Sequence, residues 1–267
     1  MIVPTRFGAV GVDEAGAGEP LLLLHGYPLE RRYWAPQLAQ PAAGARYLAP
    51  DLPGFGESVA CAGDSLDEWA DWLAALLDSL DVRRAIVGGH SMGGYLALAF
   101  WRRFPERVRA LLLVDTRAGA DSDEGRAKRR EMQSLVLAEG AGAIADRMIT
   151  GLIGKTTRAS HPDVVAALDA MMRRAGVGGI TDALQAMLDR EDSVSLLETI
   201  TVPTLVVCGE EDTITPVTES HVLHAGIKGS RLALIPGAGH ASNFEAPAVF
   251  NALLPEFLAA TIRDTIF

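Results

Sequence analysis

The segment Gly89-His90-Ser91-Met92-Gly93-Gly94 follows a short apolar run at residues 85–87 and precedes a stretch of helical period. A sharp turn from a strand into a helix needs small residues two positions before and two positions after its central residue, because the backbone presses them against the sheet and the helix. The glycines of this segment meet that need. The turn would raise the Ser91 hydroxyl above the strand end, and the N–H of Met92 would point toward developing negative charge. We therefore predict that Ser91 is a nucleophile, in preference to part of a mere tight turn.

The rest of the chain alternates short apolar runs with longer stretches of helical period, which indicates βα units and a parallel sheet buried on both faces. The candidate strands are residues 21–24, 47–50, 85–87, 110–114, 204–208 and 231–235. The candidate helices are residues 66–80, 92–104, 218–226 and 246–261. We predict an α/β fold with a mostly parallel central sheet and helices on both faces, which carries a helical cap inserted late in the chain.

Residues 117–196 interrupt this alternation with helical patterns and no strands. They hold 11 basic and 12 acidic residues, so their net charge is −1 and the remaining chain carries −9 of the total of −10. We predict a core of residues 1–116 and 197–267 and a helical cap of residues 117–196. Residues 117–128 are interpreted as a flexible connection or hinge into the cap. Five of the seven methionines lie in the cap, where they either fill gaps between short helices or form an adaptable apolar lid.

Length, charge and apolar pattern exclude several classes of protein. A chain of 267 residues buries enough surface to fold without disulfides or a structural metal, which agrees with its two cysteines, Cys61 and Cys208. The formal net charge of −10 repels nucleic acid and anionic membranes. No apolar run approaches the ~20 residues that span a bilayer, and the first residues show no secretory signal. We therefore expect a cytoplasmic protein that binds neither nucleic acid nor membranes, while its oligomeric state stays open.

No metal site is expected from the sequence. Neither a CxxC nor an HExxH motif occurs, and the six histidines are scattered. His221 and His224 have the i, i+3 spacing of one helix face, but a solvated face explains that spacing better than a metal pair does. The chemistry is therefore expected from side chains, without a cofactor.

A serine hydroxyl is a weak nucleophile that needs a base within hydrogen-bonding reach and an acid that orients the base. Two later strands end in suitable polar groups. Residues 204–208 lead into Gly209-Glu210-Glu211-Asp212-Thr213, and residues 231–235 lead into Pro236-Gly237-Ala238-Gly239-His240. Ligands meet open α/β sheets at such strand ends. Asp115, at the end of another candidate strand, is a rival for the orienting acid, although it could instead satisfy N–H groups of loops beside the cap.

Two further loops follow strands. Residues 21–24 lead into His25-Gly26-Tyr27-Pro28, where the Tyr27 N–H is a candidate second donor to an oxyanion. His25 is expected to order this loop through its ring nitrogens rather than to transfer protons, and His90 is interpreted in the same way. The run Asp51-Leu52-Pro53-Gly54-Phe55-Gly56-Glu57-Ser58 is interpreted as a scaffold turn whose glycines allow sharp bends.

Five motifs occur in a fixed order, namely HGYP (25–28), DLPGFGES (51–58), GHSMGG (89–94), GEEDTITP (209–216) and GAGHASNFEAP (237–247). In this order they resemble the α/β-hydrolase fold over nearly the whole chain outside the cap. The resemblance implies Ser91 as nucleophile, His240 as general base and Asp212 as orienting acid. It also implies an oxyanion hole formed by the N–H groups of Tyr27 and Met92.

A serine at the elbow, in place of the aspartate of haloalkane dehalogenases and epoxide hydrolases, argues against those two activities. Within the superfamily the layout resembles carboxylesterases and 3-oxoadipate enol-lactonases. It implies a serine carboxylic-ester hydrolase of the EC 3.1.1 type, which works through an acyl-enzyme. The alternative is a lactonase acting on an enol-lactone or another cyclic ester, and a C–C hydrolase or perhydrolase is less favoured. A ligand receptor without turnover is the alternative from another class, but it has no physical need for nucleophile, base and acid together.

The expected partner is a small-molecule substrate, an uncharged ester or lactone of small to medium size. A core carrying −9 should repel anions. The cap offers apolar positions for an acyl chain, among them Met148, Ile149, Leu152 and Ile153. An arginine inside the pocket would reverse the local potential, and the candidates are Arg117, Arg147 and Arg158.

Overall fold

The computed structural model describes residues 1–60 and 63–263, so Cys61 lies outside the described residues. The strands of this part of the chain are β1 (Ile2–Thr5), β2 (Gly8–Gly16), β3 (Glu19–Leu24), β4 (Ala45–Pro50), β5 (Ala85–His90), β6 (Val108–Val114), β7 (Thr204–Gly209) and β8 (Arg231–Ile235). They form one sheet in the spatial order β1-β2-β4-β3-β5-β6-β7-β8. β2 pairs antiparallel with β1 and with β4, whereas the other neighbours pair parallel. The prediction of a mostly parallel central sheet is confirmed.

All six predicted strands are present, but the sequence pattern does not predict β1 and β2. Their apolar positions are few and are interrupted by Pro4 and Gly11. Only alternate residues such as Val10 and Val12 reach the core, where they are fully buried. β2 pairs with its chain neighbour β1 on one side and with β4, which lies further along the chain, on the other, so tertiary pairing contributes to fixing this strand.

The α-helices of the described residues are α1 (Ala35–Leu38), α2 (Leu66–Ser79), α3 (Met92–Arg103), α4 (Asp123–Glu139), α5 (Ala141–Leu152), α6 (Lys155–Ser160), α7 (Pro162–Arg173), α8 (Val177–Leu188), α9 (Val217–Gly226), α10 (Ser242–Glu245) and α11 (Pro247–Arg263). The four predicted helices correspond to α2, α3, α9 and α11. Side chains of α2 and α3 pack on one face of the sheet and those of α11 pack on the other, which confirms helices on both faces. Among the described helices, none combines the length and the apolar character of a bilayer span.

Strand β3 shows how the two apolar layers form. Successive residues of a strand face opposite sides of a sheet. Leu22 and Leu24 pack in the layer that contains α2 and α3, whereas Leu21 and Leu23 pack in the layer that contains α11. All four side chains are fully buried. Each contributes roughly 1.5–3 kcal/mol to folding, so a large core holds the strand ends in place.

Helix α2 begins with a local sequence signal. The Ser65 hydroxyl accepts the N–H of Glu68 at 3.3 Å, and the Glu68 carboxylate accepts the N–H of Ser65 at 3.2 Å. This reciprocal capping box satisfies two N–H groups that a helix start would otherwise leave without partners. The helix then buries Trp69 and Leu73 against the sheet layer.

Five helices, α4 to α8, lie between β6 and β7, so the predicted cap segment is helical, and its described residues contain no strand. The division into a core and a cap stays a prediction. The chain that leaves β6 lies beside the chain that returns to β7. The N–H of Ser193 donates to the carbonyl of Ala118 at 3.0 Å, and the N–H of Ala120 donates to the Asp192 carboxylate at 2.9 Å.

The expectation of a flexible hinge at residues 117–128 needs correction. Helix α4 begins within this segment, and the carboxylate of Asp121 is only 1% exposed. That carboxylate pairs with the guanidinium groups of Arg117, Arg129 and Arg190. Because Arg117 precedes the inserted helices and Arg190 follows them, one buried carboxylate holds both ends of the insertion. Buried charges are retained where they are paired in this way.

Candidate active site

Ser91 lies in a strained turn between β5 and α3. Its backbone φ is 51°, in the left-handed region that favours glycine. A Cβ at Gly89 would overlap the carbonyl oxygen of Gly93, and a Cβ at Gly93 would overlap the carbonyl oxygen of Leu24. Both positions therefore require glycine, and the predicted turn from strand to helix is confirmed. Strain of this kind is common at functional sites and persists because the surrounding structure enforces it.

The loops after β7 and β8 bring an acid and a histidine to Ser91. The Ser91 hydroxyl donates to Nε2 of His240 at 2.9 Å, and Nδ1–H of His240 donates to Oδ2 of Asp212 at 2.8 Å. Asp212 also accepts the N–H groups of Ile214 and Thr215 at 2.8 and 2.9 Å. The three predicted triad residues are therefore within hydrogen-bonding distance in the order serine, histidine, aspartate.

The surroundings of this pair favour a charged carboxylate and a basic imidazole. Burial alone would raise the pKa of Asp212, but the positive charge of His240 and the hydrogen bonds from its ring and Thr215 lower that pKa overall. Burial alone would lower the pKa of His240, but the charge and hydrogen bond of Asp212 raise it above its ordinary value. His240 is therefore equipped to take a proton from Ser91 and to hold it as an imidazolium.

The backbones of the two predicted oxyanion donors lie beside Ser91. Met92 is the first residue of α3, so its N–H has no partner within the helix. Tyr27 follows Gly26, and a Cβ built on Gly26 would lie 3.2 Å from the Ser91 Cβ. Both side chains are buried. Their role as donors to an oxyanion stays a prediction.

Two histidines near the site have structural roles. Nδ1 of His25 lies 2.9 Å from the carbonyl oxygen of Gly26, and Nε2 of His25 accepts the N–H of Leu52 at 2.9 Å. Nε2 of His90 lies 2.6 Å from the carbonyl oxygen of His240. Burial lowers the pKa of both His25 and His90, so both rings favour the neutral form. The prediction that these rings order loops is confirmed.

Asp115 directly follows β6 and accepts hydrogen bonds from two loops, which is the alternative role that the sequence suggested for it. Its carboxylate accepts the N–H of Gly209 at 2.8 Å, the N–H of Ser242 at 3.1 Å and the Ser242 hydroxyl at 2.6 Å. These loops carry Asp212 and His240, and they lie beside the inserted segment, because Thr156 donates to Glu211 and Gly154 donates to Glu245. Asp115 reaches them because β6 lies directly beside β7 and its end faces both loops.

Two residues with clear positioning roles were missed in the sequence. Glu245 accepts the N–H groups of Gly239 and Ala241, on both sides of the histidine, and that of Gly154 from the inserted helices. Glu245 belongs to the GAGHASNFEAP motif, which is the signal that could have found it.

Arg31 is the second missed residue. It forms ion pairs with Asp13, Asp51 and Glu57. The Asp51 carboxylate also accepts the N–H groups of Arg31 and Glu57 at 2.8 Å. A Cβ at Gly56 would overlap that carboxylate, which explains the glycine there. The interpretation of residues 51–58 as a scaffold turn is confirmed, but its cationic centre lies outside the motif.

One buried group in the described part of the chain has donor atoms close enough for a metal ion, namely Asp115, Cys208 and Asp212, whose atoms lie within 4.8 Å of one another. Asp212 already faces His240, and Asp115 already accepts three hydrogen bonds. The group is thus part of the hydrogen-bond network around the histidine. Nδ1 of His224 lies 2.9 Å from the Ser230 hydroxyl oxygen, so that ring has a protein partner.

A cleft of about 210 Å³ lies between the loops after β3 and β4 and the end of α7. Its apolar wall includes Leu29, Phe55 and Met171. The charges at the rim balance, since they come from two glutamates and two arginines, Glu30, Glu57, Arg32 and Arg174. Leu29 follows Tyr27 by two residues, so this cleft adjoins the loop of the candidate oxyanion hole.

The methionines of the inserted segment mainly fill space. Met171, Met172 and Met187 are buried, while Met132 and Met148 are half-buried and pack against the core. Of the other apolar positions singled out in the sequence, Leu152 and Ile153 are buried and Ile149 packs against the core.

The three arginines that could reverse the potential of a pocket all have protein partners. Arg117 pairs with Asp121, and Arg147 pairs with Glu131 at 2.6 Å. Arg158 donates to the carbonyl of Thr150 at 2.7 Å.

A parallel sheet with a serine elbow, an aspartate and a histidine at its carboxyl edge is the architecture of the α/β hydrolases. The chain belongs to the alpha/beta hydrolase fold family, whose sequence profile matches residues 19–247. It is thus a member of a family whose named relatives include an esterase and a hydrolase.

Among solved structures, the chain is similar to a thermophilic esterase from Thermogutta terrifontis, with 36% identity, 98% of both chains covered and a TM-score of 0.93. It is also similar to 2-hydroxymuconate semialdehyde hydrolase of Pseudomonas sp. strain CF600, with 31% identity over 93% of this chain and 89% of that protein. The enol-lactonase of Burkholderia xenovorans LB400 shares 24% identity, with 97% of this chain and 100% of that chain covered and a TM-score of 0.89. At that identity the likeness shows the fold alone.

Proposed function

We propose that this protein is a serine carboxylic-ester hydrolase that acts on small to medium uncharged esters through an acyl-enzyme. The observation that carries the proposal is the continuous hydrogen-bond chain from the Ser91 hydroxyl through His240 to Asp212, with lengths of 2.9 and 2.8 Å. A nucleophile, its base and an orienting acid in contact are the geometric requirements of this chemistry. The 36% identity with an esterase over nearly the whole chain supports an ester substrate.

In the proposed reaction, Nε2 of His240 takes the Ser91 proton while Oγ attacks the ester carbonyl carbon. The carbonyl electron pair moves to the oxygen, which accepts hydrogen bonds from the N–H groups of Tyr27 and Met92. The tetrahedral intermediate then expels the alcohol, which receives the proton from His240. Water attacks the resulting acyl-serine while His240 accepts its proton. Return of that proton to Ser91 releases the acid, and Asp212 stabilises the imidazolium in both halves.

The balance of charges supports an uncharged substrate over an anionic one. The rim of the cleft beside Tyr27 carries equal numbers of acidic and basic side chains. Arg117 and Arg147 are already paired with Asp121 and Glu131, and Arg158 donates to the carbonyl of Thr150, so part of the donor capacity of each guanidinium is used within the protein. The net charge of −9 outside the inserted segment also repels anionic substrates.

We also propose that residues 117–196 act as the cap over this site. Two contacts support this assignment. Glu245 joins Gly154 of the insertion to the loop of His240, and Met171 of α7 lines the cleft beside the Tyr27 loop. The insertion therefore contacts the site from two sides.

The test combines covalent labelling with turnover. A fluorophosphonate probe should label Ser91 alone, as shown by peptide mapping of the adduct, and Ser91→Ala should abolish both the label and the hydrolysis of p-nitrophenyl acetate. Labelling that survives Ser91→Ala at an unchanged rate would refute the assignment of the nucleophile. A well-folded wild-type protein without turnover on any substrate tested would favour a ligand receptor.

Substrate class is decided by a panel of p-nitrophenyl esters from acetate to dodecanoate, a dicarboxylate enol-lactone and 2-hydroxymuconate semialdehyde. Neutral esters should give the highest kcat/KM. A clear preference for the dianionic lactone would favour the lactonase. A preference for 2-hydroxymuconate semialdehyde, on which the relative with 31% identity is named as acting, would favour C–C hydrolysis.

A further inference from the structure

The three residues 114–116 contact every loop of the candidate triad. The carbonyl of Val114 accepts the N–H of Ser91 at 2.9 Å, and the hydroxyl of Thr116 donates to the carbonyl of Ser91 at 2.8 Å. Between them, the carboxylate of Asp115 accepts the N–H of Gly209 and both the N–H and the hydroxyl of Ser242. The ends of β5, β7 and β8 are therefore joined through the end of β6.

The backbone at Asp115 is strained, and its side chain is completely buried. Its φ is 44°, and only two other non-glycine residues in the described ranges, Asp81 and Ser91, have positive φ. Two of these three unusual conformations thus lie at the candidate site. Such a conformation costs free energy and persists only where the surrounding contacts determine it. The contacts of the Asp115 carboxylate with the two loops are the ones that hold it.

The groups that face Asp115 come from several elements. Asp212 and Cys208 approach from the end of β7, His240 from the loop after β8, and Tyr33 from the turn before α1. Burial and the charge of Asp212 raise the pKa of Asp115, while the positive charge of His240 and the hydrogen bonds from Ser242 and Gly209 lower it, and the net result is a pKa raised to about 8. Glu245 lies further out and also acts on the His240 ring. The ionisation of Asp115 is therefore completed only as the pH rises through about 8, and the ionised form is the one that accepts the three hydrogen bonds described above.

We propose that Asp115 is a positioning residue of the hydrolytic reaction, which holds the Asp212 and His240 loops in register through its buried carboxyl group. This inference rests on the proposed function. Asp115 does not replace Asp212, because Nδ1–H of His240 donates to Asp212, and no hydrogen bond joins Asp115 to the ring in the described structure. When Asp115 ionises, its charge favours the imidazolium that forms in the transition state. The rate should therefore continue to rise above the pH at which His240 itself becomes neutral.

The main test is Asp115→Asn. Its amide oxygen can still accept the N–H of Gly209, but its NH₂ group opposes the N–H of Ser242 and it cannot ionise. In metal enzymes, removing a residue that orients a metal-binding side chain through a hydrogen bond typically lowers activity by about 10- to 100-fold. We expect kcat to fall by about that factor with little change in KM, and the rise in kcat/KM near pH 8 to disappear.

Asp51→Asn is the matched control. Asp51 is also fully buried and also accepts N–H groups of a loop after a strand, but it faces Arg31 rather than His240. This variant should lose stability while the shape of its pH profile stays that of the wild type. If Asp115→Asn behaves like this control, or like the wild type, the inference is wrong.

Ser242→Ala provides a second measurement, which also decides the question if Asp115→Asn does not fold. It removes one hydrogen bond that favours the ionised form of Asp115, so the rise near pH 8 should move to higher pH. An unmoved rise would overturn the inference. Turnover that does not depend on Ser91 would instead refute the proposed function, and the Ser91→Ala control separates these two failures.

Discussion

The buried carboxylate of Asp121 allows a quantitative prediction for Asp121→Asn. The substitution keeps the shape of the side chain but removes the negative charge that Arg117, Arg129 and Arg190 share. Although burial opposes it, the guanidinium groups of Arg129 and Arg190 lower the pKa of Asp121 to about 2. A shift of roughly 2 pK units corresponds to ~2.5 kcal/mol of folding free energy. Removing one partner of a buried ion pair typically costs about 3–5 kcal/mol. We therefore expect a loss of about 2–5 kcal/mol at pH 7.

The assay is urea unfolding followed by tryptophan fluorescence at pH 7 and at pH 3. A carboxylate with a lowered pKa stabilises the folded state fully above the pKa of the unfolded chain, and this stabilisation is lost as the pH falls through about 2. The difference between wild type and Asp121→Asn should therefore be smaller at pH 3. Glu124→Gln is the control, because its exposed pair with Lys128 lies in the first turns of α4, directly after Asp121, and should contribute little. A difference at pH 7 no larger than that of the control would refute the assignment of Asp121 as the anchor of the insertion.

Other predictions concern the candidate active site. Gly89→Ala should abolish turnover, because the added methyl group overlaps the carbonyl of Gly93, and circular dichroism will show whether the fold survives. Asp212→Asn should lower kcat by roughly 10⁴-fold through loss of the correct imidazole tautomer and its stabilising charge, whereas a larger loss in Asp115→Asn would reverse the assignment of the acid. Since Asp212 raises the pKa of His240 despite burial, kcat/KM should fall as the pH drops through a value above 6.5. Initial rates from pH 5 to 9 measure this, and a midpoint below 6.5 would contradict it. Along the p-nitrophenyl ester series, kcat/KM should rise by about fourfold per added methylene, equivalent to ~0.8 kcal/mol, and then decline once the pocket is full.

The features that could be predicted from the sequence are those with local causes. Ser91 is identified by glycines at fixed distances and by the strand and helix around it, because the steric demands of the turn act within a few residues. The central strands are equally visible, since a parallel sheet buried on both faces needs continuous apolar runs. β2 is harder to find, because only Val10 and Val12 mark its buried side and its partner β4 is distant.

The features that could not be predicted depend on which strand ends become neighbours. Asp115 was a candidate acid from its position at a strand end, but choosing between it and Asp212 requires the hydrogen-bond geometry around His240. Arg31 gives no sequence signal, because its carboxylate partners lie elsewhere in the chain, Asp13 in β2 and both Asp51 and Glu57 in the run of residues 51–58. The hinge interpretation of residues 117–128 relied on glycine and small polar residues, and it missed that a buried ion cluster can order such a segment.

The side-by-side course of the chain at Ala118 and Ser193 has a consequence for how this enzyme could change over time. The chain segments that enter and leave the insertion are joined by a hydrogen bond. The helices between them therefore form a loop whose two ends already lie together at the sheet. Lengthening such a loop costs little folding free energy, since each doubling of its length adds only about 0.6 kcal/mol of closure entropy. Insertions are tolerated best where chain ends lie close together. A different set of helices can therefore be grafted between these two points while the hydrogen-bonded residues at the ends of the sheet strands stay in place.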